Sequence, residues 1–487
     1  MKKILVLFFL FVSFTTNAQI NTKLERGVPE NEGLSSSAIL NFINETEEKV
    51  DDIHSLMIVK NGKVVSEGWW NPYNENSPHE LWSLSKSFTS SAIGFAVSEG
   101  LLSVNDLVMS FFPGKLPEKP SWQLKQLRIV DLLTMNTGHV KEPRLNAADG
   151  DWESNFLSSD IQFMPGTHFL YNTPASFMLS SIIQKATGEK LVDYLYPRLF
   201  EPLGIEKPDW EMNPSGVNVG GWGLHLKTED IAKFGLLYLN HGKWDEKQIL
   251  PKKWVEDATS KQVSNGSNPD NDWSQGYGYQ FWRSRFNSYR GDGAMGQFCL
   301  VIPEKNMVIA ITSGTNNMGL VMQLVWENIL PKAVNVSLPE NSEKYNALNE
   351  KTASLSLNPN DLKSFKSVKK RLKGKFQIEK NEQGLKSISF KKNKNYVIFE
   401  MEEGIESVEY GFGEFMNSEI INHLPFTNLR RNEFIPESSL RYQKHKKISS
   451  SGAWIGNNEF MLSTCLLYTS DAADEGLGVD LGGRRII

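Results

Sequence analysis

The chain has 487 residues, of which 40% are hydrophobic and 22% are charged, and its formal net charge is −5. This composition is typical of a globular protein and leaves room for a large core and two or three domains. It lacks the excess of basic residues that contacts with nucleic-acid phosphates require, so we expect no nucleic-acid partner.

The N-terminus has the pattern of a secretory signal peptide. Two lysines precede an apolar run from Ile4 to Phe14, and small and polar residues then lead to Ala18. The run is shorter than the roughly 20 apolar residues that span a bilayer, and no second run follows. We therefore expect residues 1–18 to be removed, and the protein to be periplasmic or secreted without stable membrane insertion. The chain has only two cysteines, so no disulfide framework is expected in that compartment.

Residues 29–335 carry dense strand and helix patterns. A hairpin is predicted at Ser55–Val59 and Lys63–Gly68, because Asn-Gly between apolar runs is a strong turn signal. A second hairpin is predicted at Phe298–Ile302 and Met307–Thr312. Between the hairpins, helical patterns end near glycines at Ser87–Glu99, Ala175–Thr187 and Glu229–Asn240.

Hairpins at both ends of this region, with helices between them, predict an α/β fold. We expect an antiparallel sheet closed by the two ends of the region, flanked by helices, with a helical subdomain beside it.

The first helical pattern begins with Ser83-Leu84-Ser85-Lys86. Residues three apart share a helix face, so the Lys86 amine is expected within reach of the Ser83 hydroxyl. A serine needs a base to become a nucleophile, and a lysine serves when burial lowers its pKa. Two further Ser-x-x-Lys sequences, Ser367–Lys370 and Ser389–Lys392, lie in lysine-rich stretches without an apolar helix behind them. Only Ser83 has the sequence context of a nucleophile.

The C-terminal third differs in composition. Residues 336–359 are polar and loop-like, which predicts a linker. Apolar clusters such as Lys386–Phe390 and Tyr396–Met401 predict a small β-rich domain over residues 360–464.

Residues 465–487 do not resemble natural protein sequence. CLLYTSDAADE back-translates without a break into a transposase-type sequencing adapter, and VDLGGRRII continues it after a short index. We exclude this segment from fold reasoning and expect the natural protein to continue beyond Thr464.

Five sequence blocks resemble the class C β-lactamase-like serine hydrolases in composition and order. They are LWSLSKSFTSSAIGFAVSEG, IVDLLTMNTGH, PGTHFLYNTPASFMLSSIIQKATG, GGWGLHLKTEDIAKFGLLYLNHGKW and GDGAMGQFCLVIPEKNMVIAIT. Together they cover roughly residues 29–335, which implies the serine β-lactamase and DD-peptidase type of fold for this region.

The resemblance assigns roles to the second motif. In that family a Tyr-x-Asn sequence points a tyrosine at the nucleophile as proton acceptor and donor, and Tyr171 is its match here. Thr173 stands where the family often has asparagine. Its hydroxyl is expected to bind the substrate. Because asparagine is missing at this position, we do not expect the protein to bind β-lactams as a true β-lactamase does.

The third motif normally places a cation on the strand beside the site, but this chain reads Gly291-Asp292-Gly293 there, and Arg290 is the adjacent candidate. The run from Gly293 to Gln297 is similar to the 6-aminohexanoate-dimer hydrolase and esterase branch. That similarity implies an oxyanion hole built from the backbone N–H groups of Ser83 and Ala294. It also makes Gly293 and Gln297 candidate substrate-binding residues.

The implied function is an exported serine hydrolase that cleaves an ester or amide bond in a small molecule or peptide. Ser83 forms the acyl-enzyme, and Lys86 and Tyr171 serve as general base and acid. The alternatives are a D-aminopeptidase or DD-peptidase acting on the cell wall, and a penicillin-binding-type protein that is acylated without turnover. The oligomeric state stays open.

No cofactor and no metal are expected. His139 and His225 have no second histidine or cysteine four residues away, and their sequence neighbours offer no His/Cys cluster.

Overall fold

The computed structural model describes residues 23–50, 52–145 and 150–357, and in the C-terminal part 374–381, 384–391, 395–402, 404–420, 446–454, 459–466 and 477–480. The expected signal peptide and Ser367–Lys370 lie outside the described residues.

The described residues form α-helices and several shorter helical turns. The α-helices are α1 Ser36–Lys49, α2 Ser85–Ser98, α3 Ile129–Leu133, α4 Trp152–Leu157, α5 Thr173–Thr187, α6 Leu191–Leu195, α7 Thr228–Leu239, α8 Lys252–Thr259, α9 Met318–Leu324 and α10 Ser342–Ala353. The 3₁₀ turns are Pro29–Glu32, Trp82–Leu84, Val108–Phe111, Leu124–Gln126, Pro303–Lys305 and Leu330–Lys332, and two π-helical turns are Tyr196–Phe200 and Val325–Ile329.

The strands are β1 Ile53–Lys60, β2 Lys63–Trp69, β3 His79–Glu80, β4 His225–Leu226, β5 Lys243–Trp244, β6 Lys247–Gln248, β7 Trp282–Arg283, β8 Tyr289–Gly293, β9 Gln297–Ile302, β10 Met307–Ser313, β11 Gly374–Gln377, β12 Leu385–Phe390, β13 Tyr396–Met401, β14 Ile405–Glu409, β15 Gly411–Phe412, β16 Met416–Ile420, β17 Lys446–Trp454, β18 Glu459–Leu466 and β19 Leu477–Asp480.

The main sheet has six antiparallel strands in the order β2-β1-β10-β9-β8-β7. Both predicted hairpins are present, and they meet where β1 pairs with β10, with Leu56 opposite Ile311. This confirms the predicted α/β class and the closure of one antiparallel sheet by strands from both ends of the region.

Alternate residues of the central strands pack into two separate cores. On β10, Val308 and Ala310 face the core that contains the helical subdomain, whereas Met307, Ile309 and Ile311 face the core beneath α1 and α9. Successive strand side chains point to opposite faces, so a strand buried on both faces must be apolar throughout. The sheet is therefore covered by helices on both faces.

The predicted linker is not loop-like throughout, because it contains α10. The side chain of Asn341 caps this helix by accepting the backbone N–H of Lys344 at 3.1 Å. The helix packs on α1 through Leu348, whose side chain is buried in the core beneath the sheet. A single buried residue leaves almost no apolar periodicity, which is why the sequence pattern indicated a loop.

The C-terminal described residues form the predicted small β-structure. One antiparallel sheet has the order β11-β12-β13-β14, and a second contains β15, β17, β18 and β19 with β16 beside β17. Ile388, Phe399, Val408 and Phe460 share their apolar core. The end of β18 and all of β19 fall within residues 465–487, whose adapter origin stays a prediction.

Within the described residues, no helix is both long enough and apolar enough to cross a bilayer.

Replacing Leu348 with alanine tests whether α10 belongs to the catalytic-region core. Deletion of a buried leucine side chain leaves a cavity, so we expect Leu348→Ala to lower the free energy of unfolding by about 3 kcal/mol. Glu350→Ala, at an exposed position of the same helix, is the control and should change it by less than about 0.5 kcal/mol. Urea unfolding measures both, and equal stability of the two variants would contradict the packing.

Candidate active site

Ser83 lies in a tight turn that leads into a buried helix. The 3₁₀ turn Trp82–Leu84 runs directly into α2, and Trp82 has a φ of +47°, in the left-handed region that side chains other than glycine rarely adopt. Strained backbone of this kind persists only where the surrounding structure holds it. The turn presents Ser83 half-buried at the start of a helix that is otherwise in the core.

The Lys86 amine is held against the Ser83 hydroxyl. Its Nζ donates to Ser83 Oγ at 2.9 Å and to the backbone carbonyl of Gly221 at 2.8 Å. The side chain is 1% exposed. Burial lowers the pKa of Lys86 from 10.5 to about 7, although the negative charges of Glu142 and Asp292 oppose this shift. The amine is therefore partly neutral near pH 7.

Tyr171 reaches the same serine from the loop before α5. Its hydroxyl is hydrogen-bonded to Ser83, and its ring centroid lies 5.0 Å from Lys86 Nζ. The ring stacks on Trp282 at 5.2 Å between centroids. Loss of hydration raises the pKa of Tyr171 well above its usual value, and the charge of Asp292 adds to the shift. The structure thus brings Ser83, Lys86 and Tyr171 together, with the phenol protonated at neutral pH.

Asn172 fixes the position of Tyr171, and the sequence analysis missed this role. Its Oδ1 caps α5 by accepting the Ala175 N–H at 3.1 Å, and its Nδ2 donates to Thr137 Oγ1 at 3.1 Å. An asparagine before Thr-Pro is a helix N-terminus signal, so the cap was visible in the sequence.

Glu142 is a second missed residue. It is exposed, and its Oε1 accepts the backbone N–H of Thr173 at 2.6 Å. Its charge raises the pKa values of both Lys86 and Tyr171, so it lies close to the catalytic groups. Thr173 itself is half-buried at the first position of α5, next to Tyr171. No local pattern marks Glu142, because the fold alone brings its loop to α5.

The end of β8 lies directly on the turn that carries Ser83. A Cβ atom on Gly293 would lie 2.1 Å from the carbonyl oxygen of Leu81, and one on Gly291 would lie 2.4 Å from Leu84 Cδ1. Real Cβ atoms do not approach so closely, and the backbone of Leu81 cannot move aside as the Leu84 side chain can, so this contact requires glycine at position 293. Ala294 follows Gly293 at an exposed turn beside this contact.

Gln297 supports the turn from within. Its side chain is fully buried, and its Nε2 donates to the carbonyl oxygens of Ala294 at 3.0 Å and Ser313 at 2.7 Å. The amide therefore joins the Ala294 turn to β10. Substrate binding by Gln297 stays a prediction.

Arg290 does not supply the cation expected on this strand. The side chain is fully buried, and its Nε donates to Asp292 Oδ2 at 2.9 Å. It also donates to the hydroxyl of Ser284 and to the carbonyl of Asp272, and it lies over the Trp273 ring at 4.6 Å. Arg290 and Asp292 point to the same face because they are two residues apart on a strand. Their ion pair neutralises the arginine inside the protein.

The region that contains these residues is similar to known proteins. A family profile described as Beta-lactamase matches residues 48–331, more than half of the chain. An uncharacterized protein from Alkalihalophilus pseudofirmus is 24% identical over 315 residues, covering 56% of this chain and 87% of the relative. A beta-lactamase from Pseudomonas fluorescens is 23% identical over 210 residues, covering 37% of this chain. The chain spans only 58% of that relative's length.

A solved structure of a candidate 6-aminohexanoate-dimer hydrolase from Bacillus anthracis has a similar fold. It superposes with a TM-score of 0.52 and 21% identity, covering 63% of this chain and 85% of its own. The likeness confirms the fold expected from the five sequence blocks.

The buried amine predicts a pH-dependent cost in stability. The unfolded chain keeps the Lys86 proton up to its usual pKa of 10.5, whereas the folded protein releases it near 7, so the unfolded state binds more protons between these values. Wild-type stability should therefore rise with pH across this range. We expect Lys86→Met to be more stable than wild type at pH 6, and its advantage to shrink by about 4 kcal/mol at pH 10.

Urea unfolding at the two pH values measures this difference. Lys252→Met, at an exposed position of α8, is the matched control and should show the same difference from wild type at both pH values. A Lys86→Met advantage that does not depend on pH would contradict the lowered pKa.

Proposed function

The chain belongs to the Beta-lactamase family and is a serine hydrolase, and from this premise we propose that it cleaves ester or amide bonds through an acyl-enzyme on Ser83. The observation that carries the proposal is the 2.9 Å hydrogen bond from the buried Lys86 amine to Ser83 Oγ. A general base must lie within hydrogen-bond reach of the proton it removes and must have a pKa near the working pH. Lys86 meets both conditions.

The two pKa directions divide the proton-transfer roles. With a pKa of about 7, Lys86 is partly neutral and removes the Ser83 proton as Oγ attacks the carbonyl carbon. Tyr171 keeps its proton, because its pKa is raised, and donates it to the leaving group as the carbon–heteroatom bond breaks. The Lys86 ammonium then returns a proton to Tyr171. Water attacks the acyl-enzyme by the same steps in reverse and regenerates Ser83.

Backbone donors would stabilise the negative charge on the carbonyl oxygen. The N–H groups of Ser83 and Ala294 are the proposed pair, supported by the close contact of Gly293 with Leu81. Such donors stabilise the transition state by about 3 kcal/mol each when aimed at the developing oxyanion. Gly293 thus acts by permitting the approach, and Gln297 by holding the carbonyl of Ala294.

The charges around the site favour a neutral or amine-bearing substrate. The cation on β8, Arg290, is buried against Asp292, whereas the exposed Glu142 lies beside Thr173 and affects the pKa of Lys86. A carboxylate-bearing β-lactam would therefore meet negative charge. The proposed substrates are esters, short amides and peptides, particularly those with a free amine.

Glu142 also supports a D-aminopeptidase as the second candidate function, since a peptide with a free N-terminus carries the complementary charge. Release of 4-nitroaniline from D-alanine 4-nitroanilide would support it. An acyl adduct that persists for hours without product release would instead support a penicillin-binding-type protein without turnover.

The N-terminal signal pattern supports export, with cleavage after Ala18. N-terminal sequencing of the protein recovered from the periplasm or medium should begin at Gln19, and an intact Met1 would contradict this proposal.

Covalent labelling identifies the nucleophile. We expect a fluorophosphonate to add one adduct to the wild-type protein, and none to Ser83→Ala, because the adduct forms on the activated hydroxyl. Ser389→Ala is the matched control, since Ser389 begins another Ser-x-x-Lys sequence but lies on strand β12. Intact-mass spectrometry measures the number of adducts on the wild-type protein and on both variants. Equal labelling of wild type and Ser83→Ala would refute the assignment.

A matched pair of substrates tests Glu142. For the 4-nitrophenyl ester of 6-aminohexanoate, we expect Glu142→Gln to raise KM up to about fivefold, because an exposed ion pair contributes at most about 1 kcal/mol. For the hexanoate ester, which lacks the amine, KM should change by less than about twofold. Glutamine retains the oxygen that accepts the Thr173 N–H. Glu343→Gln, at an exposed and distant site, is the control, and an equal rise with both esters would argue against recognition of the amine.

A further inference from the structure

A cluster of three buried side chains lies immediately upstream of the Ser83 turn. Glu80 ends β3 and pairs with His225, which begins β4. Glu211 comes from the loop that precedes β4. Glu80, Glu211 and His225 are between 0% and 2% exposed, and one ligand atom from each lies within 4.8 Å of the other two.

Two carboxyl groups this close inside a protein require compensation of their charge. Burial away from water disfavours each ionised carboxylate, and a second carboxylate nearby disfavours it further. Hydrogen-bonding partners, protons or a cation can supply this compensation. The orientation of His225 is compatible with a cation.

The imidazole of His225 is oriented as it is in metal sites. Its Nδ1 lies 3.1 Å from the carbonyl oxygen of Gly223, which can only accept, so Nδ1 carries the proton. Nε2 is then the nitrogen with a lone pair. Metal-ligating histidines are held in this way, with the other ring nitrogen donating to a backbone carbonyl. The same Gly223 carbonyl accepts the backbone N–H of Glu211 at 2.9 Å, which ties two members of the cluster to one atom.

We propose that Glu80, Glu211 and His225 bind a single divalent transition-metal ion, with Zn²⁺ as the best fit. Three atoms within 4.8 Å of one another share a point at most about 2.8 Å from each, which is 4.8 Å divided by √3. Zinc bonds to imidazole nitrogen and carboxylate oxygen are about 2.0–2.2 Å long, so the side chains need to move by less than 1 Å. A mixed nitrogen and oxygen set favours zinc over the oxygen-only preference of Mg²⁺ and Ca²⁺.

The ion would position the catalytic groups without touching substrate. Glu80 is three residues before Ser83, and the Gly221–Gly223 segment carries the carbonyl that accepts Lys86 Nζ. Metal bound between β3 and β4 therefore joins the segment that leads to the nucleophile to the segment that anchors its base. The sequence indicated no metal because these ligands come from residues 80, 211 and 225, with no short spacing between them.

Metal analysis of the full-length wild-type protein tests the site. After incubation with ZnSO₄ and exhaustive dialysis against metal-free buffer, we expect about one zinc per chain by plasma mass spectrometry. Removal with dipicolinic acid should lower Tm by several degrees, and ZnSO₄ should restore it. Less than about 0.1 zinc per chain, with an unchanged Tm after chelation, would overturn the proposal in favour of protons.

Variants locate the bound ion. Glu211→Gln removes one ligand and should lose the zinc, whereas Glu153→Gln, also a buried glutamate but outside the cluster, should keep it. Zinc bound equally by both variants would place the ion elsewhere and overturn the assignment. If circular dichroism shows that Glu211→Gln does not fold, the proposal is decided by the zinc content of the wild-type protein and by its Tm after chelation. Fluorophosphonate labelling of Ser83 is read separately, so failure of the metal site is distinguishable from failure of the proposed hydrolase function.

Discussion

The arrangement around Ser83 depends on the exclusion of water from the Lys86 amine. Lys86 belongs to a helix that lies almost wholly in the core, and its Nζ has protein oxygens from Ser83 and Gly221 as partners. Hydration would return the amine to its usual pKa and leave it charged, so it could not accept a proton at neutral pH. The apolar core around α2 therefore does more than stabilise the fold, because it lowers the pKa of Lys86.

The arrangement around Ser83 also requires the backbone of β8 to lie close to the turn that carries Ser83, and glycine permits this approach. β8 reaches the Ser83 turn because Gly291 and Gly293 lack side chains that would collide with Leu84 and Leu81. The alternate residues of the same strand, Arg290 and Asp292, form a buried ion pair on the other face. One face of β8 thus presents glycine backbone to the Ser83 turn, and its other face carries the ion pair between Arg290 and Asp292. Asp292 still raises the pKa values of Lys86 and Tyr171, as the exposed Glu142 does.

Local signals in the sequence account for most of the sheet and for the helices around Ser83 and Tyr171. The hairpin at Asn61-Gly62 and the helix at Ser85–Ser98 depend on turn chemistry and periodicity, which short segments carry. Helix α10 escaped detection because it buries only Leu348. The partner of Arg290 was also out of reach, since the pattern shows which residues share a strand face but not whether they pair or face the cleft. Glu142 reaches the site by tertiary packing alone.

The surroundings of Ser83 depend on both local and long-range contacts. Ser83 and Lys86 share one helical turn, so their contact follows from spacing. Tyr171 needs the Asn172 cap to end its loop at the right point, and Lys86 needs the Gly221 carbonyl from a segment 135 residues away. The β3–β4 pair, through Glu80 and His225, holds the segment before Ser83 beside the segment that follows Gly221. The position of Lys86 against Ser83 therefore depends on contacts between segments far apart in the sequence as well as on helical spacing.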